Sequence, residues 1–187
     1  MRILKYAVIA GLICFSALWI ARKSIYRWIV TARLNEPIED FRLLDLQGNV
    51  INSTDFEGQI LILEFWATWC GACRKALPEF HRVFDKYKDN PGVAFLAVNT
   101  GQDGDSIDRV RAVVEQNGYS FPVAYDTDAT LSTKLGIKYY PTLMIVDREG
   151  KLRFKHIGYS ESLEDYEALI AGHLQNYLQH YVSFRSQ

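Results

Sequence analysis

Residues 59–73 read Gln-Ile-Leu-Ile-Leu-Glu-Phe-Trp-Ala-Thr-Trp-Cys-Gly-Ala-Cys. Gln59–Ala67 is almost continuously apolar, the pattern of a strand buried on both faces of a sheet. The run ends in a C-x-x-C pair, and the spacing predicts a helix from Cys70 to about Lys88, bent at Pro78, which removes one backbone hydrogen bond. A cysteine at a helix start meets unpaired N–H groups and the positive end of the helix dipole, and both favour the thiolate. The thiolate is the species that attacks a disulfide. Cys73 lies three residues further along the same helical face, within reach of Cys70. Cys70 is therefore the expected nucleophile and Cys73 the resolving thiol. A purely structural disulfide here would close too short a ring to constrain the chain. A zinc site would need four ligands, and no second Cys pair or Cys/His cluster exists.

Outward from this stretch, strands and helices alternate. Phe41–Leu46, a Gln47-Gly48-Asn49 turn and Val50-Ile51 predict a short hairpin. Val93–Asn99 reads as a second buried strand. Ile107, Val110, Val113 and Val114 recur at helical spacing, and Asn117-Gly118 should stop that helix. Phe121–Tyr125 is expected as a short strand and Thr130–Leu135 as a short helix. Thr142–Asp147 and Leu152–Ile157 predict two strands joined across Arg148-Glu149-Gly150. Leu163, Tyr166, Ile170, Leu174, Tyr177 and Tyr181 mark one face of a closing helix. The fold class is α/β, a mixed sheet covered by helices on both faces.

The chain has 187 residues, with 49% apolar and 23% charged residues and a net charge of −1. That suits one globular domain with a short appendage and argues against a nucleic-acid partner. The appendage is the N-terminus. Tyr6–Ala21 carries no charge, and Arg2, Lys5, Arg22 and Lys23 flank it. With Ile3 and Leu4 added and the flanking cations at the interface, residues 3–21 are expected to span a membrane once. A cleaved signal peptide fits less well, because Leu18–Arg22 offers a poor small-x-small site. Residues 1–36 are thus read as anchor and linker, and 37–187 as the folded domain. The basic residues after the span, Arg22, Lys23, Arg27 and Arg33, taken alone would place the domain in the cytoplasm.

Trp66-Ala67-Thr68-Trp69-Cys70-Gly71-Ala72-Cys73 resembles the active-site signature of the thioredoxin superfamily. Most of Pro37–Leu178 resembles its membrane-tethered, extracytoplasmic TlpA/ResA-like disulfide reductases. The resemblance includes the leading hairpin, an inserted helix–strand unit at about Gly101–Asp126, the Tyr139-Tyr140-Pro141-Thr142 run and the hairpin over Val146–Tyr159. It implies a thioredoxin-like fold with a cis Pro141 facing the active-site disulfide, beside which the backbone of Tyr140 pairs with an extended substrate. It implies that Glu64 is a buried acid with a raised pKa that takes the Cys73 proton through water. A carboxylate turned to the sheet edge and solvent is the alternative for Glu64. Trp69, with Tyr139 and Tyr140 opposite, would form an apolar collar for a docking polypeptide, and Gly158 would let a partner backbone approach. Pro78 matches the helix-bending proline.

Two departures carry weight. Ala76 stands where TlpA/ResA-like proteins often have a glutamate, and Ala97 where small thioredoxins place a lysine near the buried acid. His81, His156, His173 and His180 have no spacing that marks a site and are expected at surface or boundary positions.

The activity expected is thiol–disulfide exchange, in the direction of reducing exported proteins. The partners would be protein thiol or disulfide substrates and a membrane electron donor, with no cofactor and no metal. The alternatives are an oxidase or isomerase using the same residues, or a redox-inert binding module, against which the intact Cys70, Cys73 and Pro141 weigh. A peroxidase is not expected, because W-C-x-x-C differs from the lone cysteine of a peroxiredoxin. The resemblance places the domain outside the cytoplasm, at a bacterial inner membrane, and outweighs the charge count because large domains translocate despite flanking charge.

Overall fold

A computed structural model of the chain describes residues 34–159 and 166–185. The anchor expected over residues 3–21 and the expected helix-face residue Leu163 lie outside these. Among the described residues no helix is long and apolar enough to cross a membrane.

Seven strands, β1 (Arg42–Asp45), β2 (Val50–Asn52), β3 (Ile60–Trp66), β4 (Val93–Asn99), β5 (Val123–Tyr125), β6 (Thr142–Val146) and β7 (Leu152–Ile157), form one sheet in the order β2-β1-β5-β4-β3-β6-β7. β3 runs parallel to β4 and antiparallel to β6, and β4 is parallel to β5; the remaining pairings are antiparallel. Among the described residues four α-helices accompany it: α1 (Cys73–Tyr87), α2 (Ile107–Asn117), α3 (Thr130–Lys134) and α4 (Tyr166–Arg185). This is the mixed α/β arrangement that the alternating sequence pattern calls for.

All seven residues of β3 are buried, as a continuous apolar run requires, and the strand period divides them. Ile60, Ile62 and Trp66 join a core built with α1, α2 and α4. Leu61, Leu63 and Phe65 join a second core on the other face, with Leu131 of α3 and Phe41 and Leu43 of the hairpin. Glu64 belongs to the first face, where α1 and α4 pack. α1 lies on that face through Cys73, Ala76, Leu77, Phe80 and Val83, buried at helical spacing. Pro78 sits inside this helix.

Local chemistry fixes the connections. The Asp45 carboxylate accepts the N–H groups of Gln47 and Asn49 and the Asn49 amide, closing the hairpin turn. Ser106 caps α2 by accepting from Arg109 N–H, and Gly118 ends it in the left-handed region at φ 64°. The sequence reading has no counterpart to the short 3-10 turn at Ser53–Phe56, where Asp55 accepts the Asn52 N–H at 2.8 Å. Ahead of Pro37, Asn35 N–H donates to Leu152 O and Leu152 N–H to Glu36 O, so residues 35 and 36 are already tied to β7.

One boundary moves. The helix predicted from Cys70 begins at Cys73. Cys70 N–H is spent on Ala67 O in a turn, and Cys70 O accepts the helical bond from Arg74 N–H. Ala72 is the half-in residue at the helix entrance, and Cys70 stands two residues ahead of it in the turn.

Candidate active site

Cys70 and Cys73 form a disulfide with an S–S distance of 2.17 Å and a Cα–Cα distance of 5.2 Å. Both are buried, Cys73 more completely. The entrance geometry gives Cys70 a specific role. Its sulfur accepts the backbone N–H of Cys73, the first helical residue, at 3.0 Å. In the reduced protein the same N–H would face a Cys70 thiolate and stabilise it. Cys73 lies one turn inside, among Ala76, Leu77 and Trp66 of the core.

Glu64 lies on the face of β3 that carries Ile62 and Trp66, the residues that share a core with Cys73 and Tyr166. It has no exposed surface, which removes the alternative of a carboxylate turned to the sheet edge. Its strand neighbours are Ala97 on β4 and Leu143 on β6, both apolar and buried. Burial pushes its pKa up to about 8, partly offset by a hydrogen bond from Tyr166. The Tyr166 phenol donates to both carboxylate oxygens, at 3.0 and 2.9 Å. Burial and the adjacent Glu64 charge hold the phenol's own ionisation well above the ordinary range, so it remains a donor. Tyr166 was legible in the sequence only as one apolar position of the closing helix. The available signal was the demand itself: a carboxylate inside an apolar strand, with alanine across from it, needs a donor from elsewhere.

The rim is built from three segments. The Tyr140–Pro141 peptide is cis, as the resemblance implies, and Pro141 is buried. Gly158 N–H donates to Pro141 O at 2.8 Å and sits at φ 88°, a conformation that favours glycine; a side-chain carbon there would meet nothing within 4 Å. Trp69 and Tyr139 are the exposed aromatics, at 45% and 61%. Trp69 packs edge-on against Tyr140 with ring centroids 5.6 Å apart. Gln102 ties these two together, its carbonyl accepting Trp69 Nε1–H at 3.3 Å and its side-chain oxygen accepting the Tyr140 hydroxyl at 3.2 Å.

Behind Gln102, the buried Asp105 carboxylate accepts Thr68 N–H at 2.8 Å, the Thr68 hydroxyl, and the Asn99 amide at 2.8 Å. Sequence reasoning missed Gln102, Asp105 and Asn99. Their only signal was a polar Gly-Gln-Asp-Gly-Asp-Ser loop at the start of the inserted unit.

Ala76 is wholly buried. His81 Nε2 accepts the Ser120 N–H, and His156 and His173 are half-buried beside Phe154, which lowers the pKa of both. These three occupy the boundary positions expected of them. Among the described residues no group of three His, Cys, Asp or Glu is placed to hold a metal.

A disulfide at a helix entrance, with a buried acid on the same face of the sheet, is suited to exchanging thiols for disulfides. Comparison with known proteins agrees. Residues 34–155 match the AhpC/TSA family. The thiol-disulfide oxidoreductase ResA of Bacillus thuringiensis is 34% identical over 137 residues, 72% of this chain and 76% of that one. The protein of the same name from Halalkalibacterium halodurans is 31% identical over 127 residues, 68% of this chain and 70% of that one. Among solved structures, StoA of Bacillus subtilis superimposes with a TM-score of 0.60 at 26% identity, covering 71% of this chain and 94% of that one.

Proposed function

This chain belongs to the AhpC/TSA family and is a thiol-disulfide oxidoreductase, and from that premise we propose that it reduces disulfides in exported proteins through Cys70 and Cys73. The observation that carries the site assignment is the paired Cys70–Cys73 disulfide with the Cys73 N–H donated to the Cys70 sulfur.

In the proposed cycle the reduced protein presents Cys70 as a thiolate. It attacks one sulfur of the substrate disulfide, whose S–S bond breaks as the second substrate sulfur leaves as a thiolate. Cys73 then gives its proton to the Glu64 carboxylate through water and attacks the Cys70 sulfur. The mixed disulfide breaks, the first substrate sulfur leaves, and the Cys70–Cys73 disulfide forms. Two electrons have passed to the substrate, and a dithiol donor at the membrane returns them by the reverse exchange. Trp69, Tyr140, Pro141 and Gly158 form the docking edge, where the Tyr140 backbone pairs with an extended substrate segment.

The direction rests on the resemblance to the TlpA/ResA-like disulfide reductases. The location rests on residues 3–21, which we read as a single-pass anchor that leaves the domain on the extracytoplasmic side of a bacterial inner membrane. Residues 1–36 would then be anchor and linker, and 37–187 the working domain. Acid quenching followed by alkylation in cells tests the direction: the Cys70–Cys73 pair should be recovered mainly as the dithiol. Recovery mainly as the disulfide would make the chain an oxidase. A phosphatase fused after Gln187 should be active; an inactive fusion would place the domain in the cytoplasm.

A further inference from the structure

Among the described residues Glu64 is held by one donor, Tyr166, 102 positions along the chain. We propose that Tyr166 is a positioning residue of this site, acting through Glu64: its phenol fixes the carboxylate in the orientation and charge state that accept the Cys73 proton. This rests on the reading of Glu64 as the proton acceptor.

The geometry is specific. A single hydroxyl proton is shared between both carboxylate oxygens, so the carboxylate is held symmetrically. A hydrogen bond to the ionised form favours that form, opposing the burial that disfavours it. Among the described residues, no other element packed around Glu64 supplies an equivalent. β4 contributes Ala97 and β6 contributes Leu143. α1 contributes Cys73 and, further along, Glu79. β7 contributes His156, its ring 6.0 Å from that of Tyr166, while Lys155 pairs with Met144 on the opposite face. α4 contributes Glu167 and, two turns on, His173.

Tyr166 is itself anchored by the helix that carries the cysteines. Glu79 of α1 accepts Glu167 N–H at 3.0 Å in the first turn of α4, and accepts the Tyr159 hydroxyl at 2.6 Å. Arg82 of α1 donates to the Glu167 carboxylate at 2.7 Å. The start of α4 is therefore tied to α1, and Tyr166 keeps its place over Glu64 as part of that joint.

The experiment uses the full-length protein. Tyr166→Phe keeps the ring and deletes the donor. Two quantities are read against pH: the Glu64 carboxyl band in the infrared, assigned by its loss in Glu64→Gln, and the rate at which the mixed disulfide is resolved. A hydrogen bond to a charged group predicts that both move upward by about one to two pH units. In the Glu64→Gln background the same Tyr166→Phe change should leave the rate profile where it was. A fluorotyrosine at position 166, a stronger donor, should move both quantities downward, and it keeps the inference testable if the phenylalanine variant folds poorly. An unmoved carboxyl band overturns the inference, as does an equal change in rate in both backgrounds, which would mean that Tyr166 acts by packing alone. A moved band with an unmoved rate would instead uphold the link between Tyr166 and Glu64 and overturn the use of Glu64 as proton acceptor.

Discussion

Cys70 and Cys73 share one helical turn but not one environment. The Cys70 sulfur receives a backbone N–H, whereas Cys73 lies deeper in the core, on the sheet face that also holds the wholly buried Glu64. The first arrangement favours a thiolate ready to attack, and the second a thiol that ionises only with help. Cys73→Ser should therefore accumulate mixed disulfides with substrate on Cys70, and Cys70→Ser should accumulate almost none, read by non-reducing electrophoresis. Equal trapping by both variants would reverse the roles. Glu64→Gln keeps size and an acceptor for Tyr166 but cannot take a proton. Stopped-flow turnover of a model disulfide should show the first attack nearly unchanged and the resolution step slowed. General-base help is worth about 10²–10⁴-fold, and a thiol near its own pKa should need the lower end. Because the carboxyl titrates at about 8, the native resolution rate should climb as pH rises through that value, and the variant should lose this inflection. An unchanged profile would make Glu64 a structural residue.

At the scale of elements, the site is a helix entrance braced by a loop. Asp105, in the loop between β4 and α2, holds Thr68 of the turn that leads into Cys70. Asp105→Ala should cost about 1–3 kcal/mol by chemical denaturation, because it strands a part-buried N–H and a buried amide. It should also slow the first attack by loosening Trp69; stability and rate both equal to the native protein would refute the brace. The elements themselves were legible in the sequence to different degrees. β3, β4 and β7 stood out because a doubly buried or alternating strand writes its period into adjacent residues. The start of α1 did not: Cys70 is held in a turn by its N–H bond to Ala67 O, and the helix begins three residues along. The cysteines were legible from the W-C-x-x-C motif, and the cis-proline and the buried acid from the family resemblance. Their supports were not, because each contact joins residues far apart in the chain. Tyr166 meets Glu64 across 102 positions and Asp105 meets Thr68 across 37, and no local pattern encodes such a meeting.

For the molecule as a whole, the buried acid also sets how stability depends on pH. The unfolded chain releases the Glu64 proton near 4.5, while the folded protein retains it until about 8. Between those values the folded state binds more protons, so stability falls as pH rises, and the penalty is complete above the folded pKa. Oxidised Glu64→Gln should match the native protein near pH 4 and exceed its stability by up to about 5 kcal/mol above pH 8, as measured by urea denaturation. A difference that does not grow with pH would mean that the carboxyl is not displaced by burial. Function at this scale turns on where the Cys70–Cys73 couple sits among cellular redox couples, since the same exchange chemistry reduces or oxidises according to that poise. The most direct test is the reduction potential of the Cys70–Cys73 pair, equilibrated against glutathione or dithiothreitol buffers. A value near the about −270 mV of thioredoxin is expected of a reductase; a value near the about −120 mV of a strong oxidant would contradict the proposed direction of electron flow.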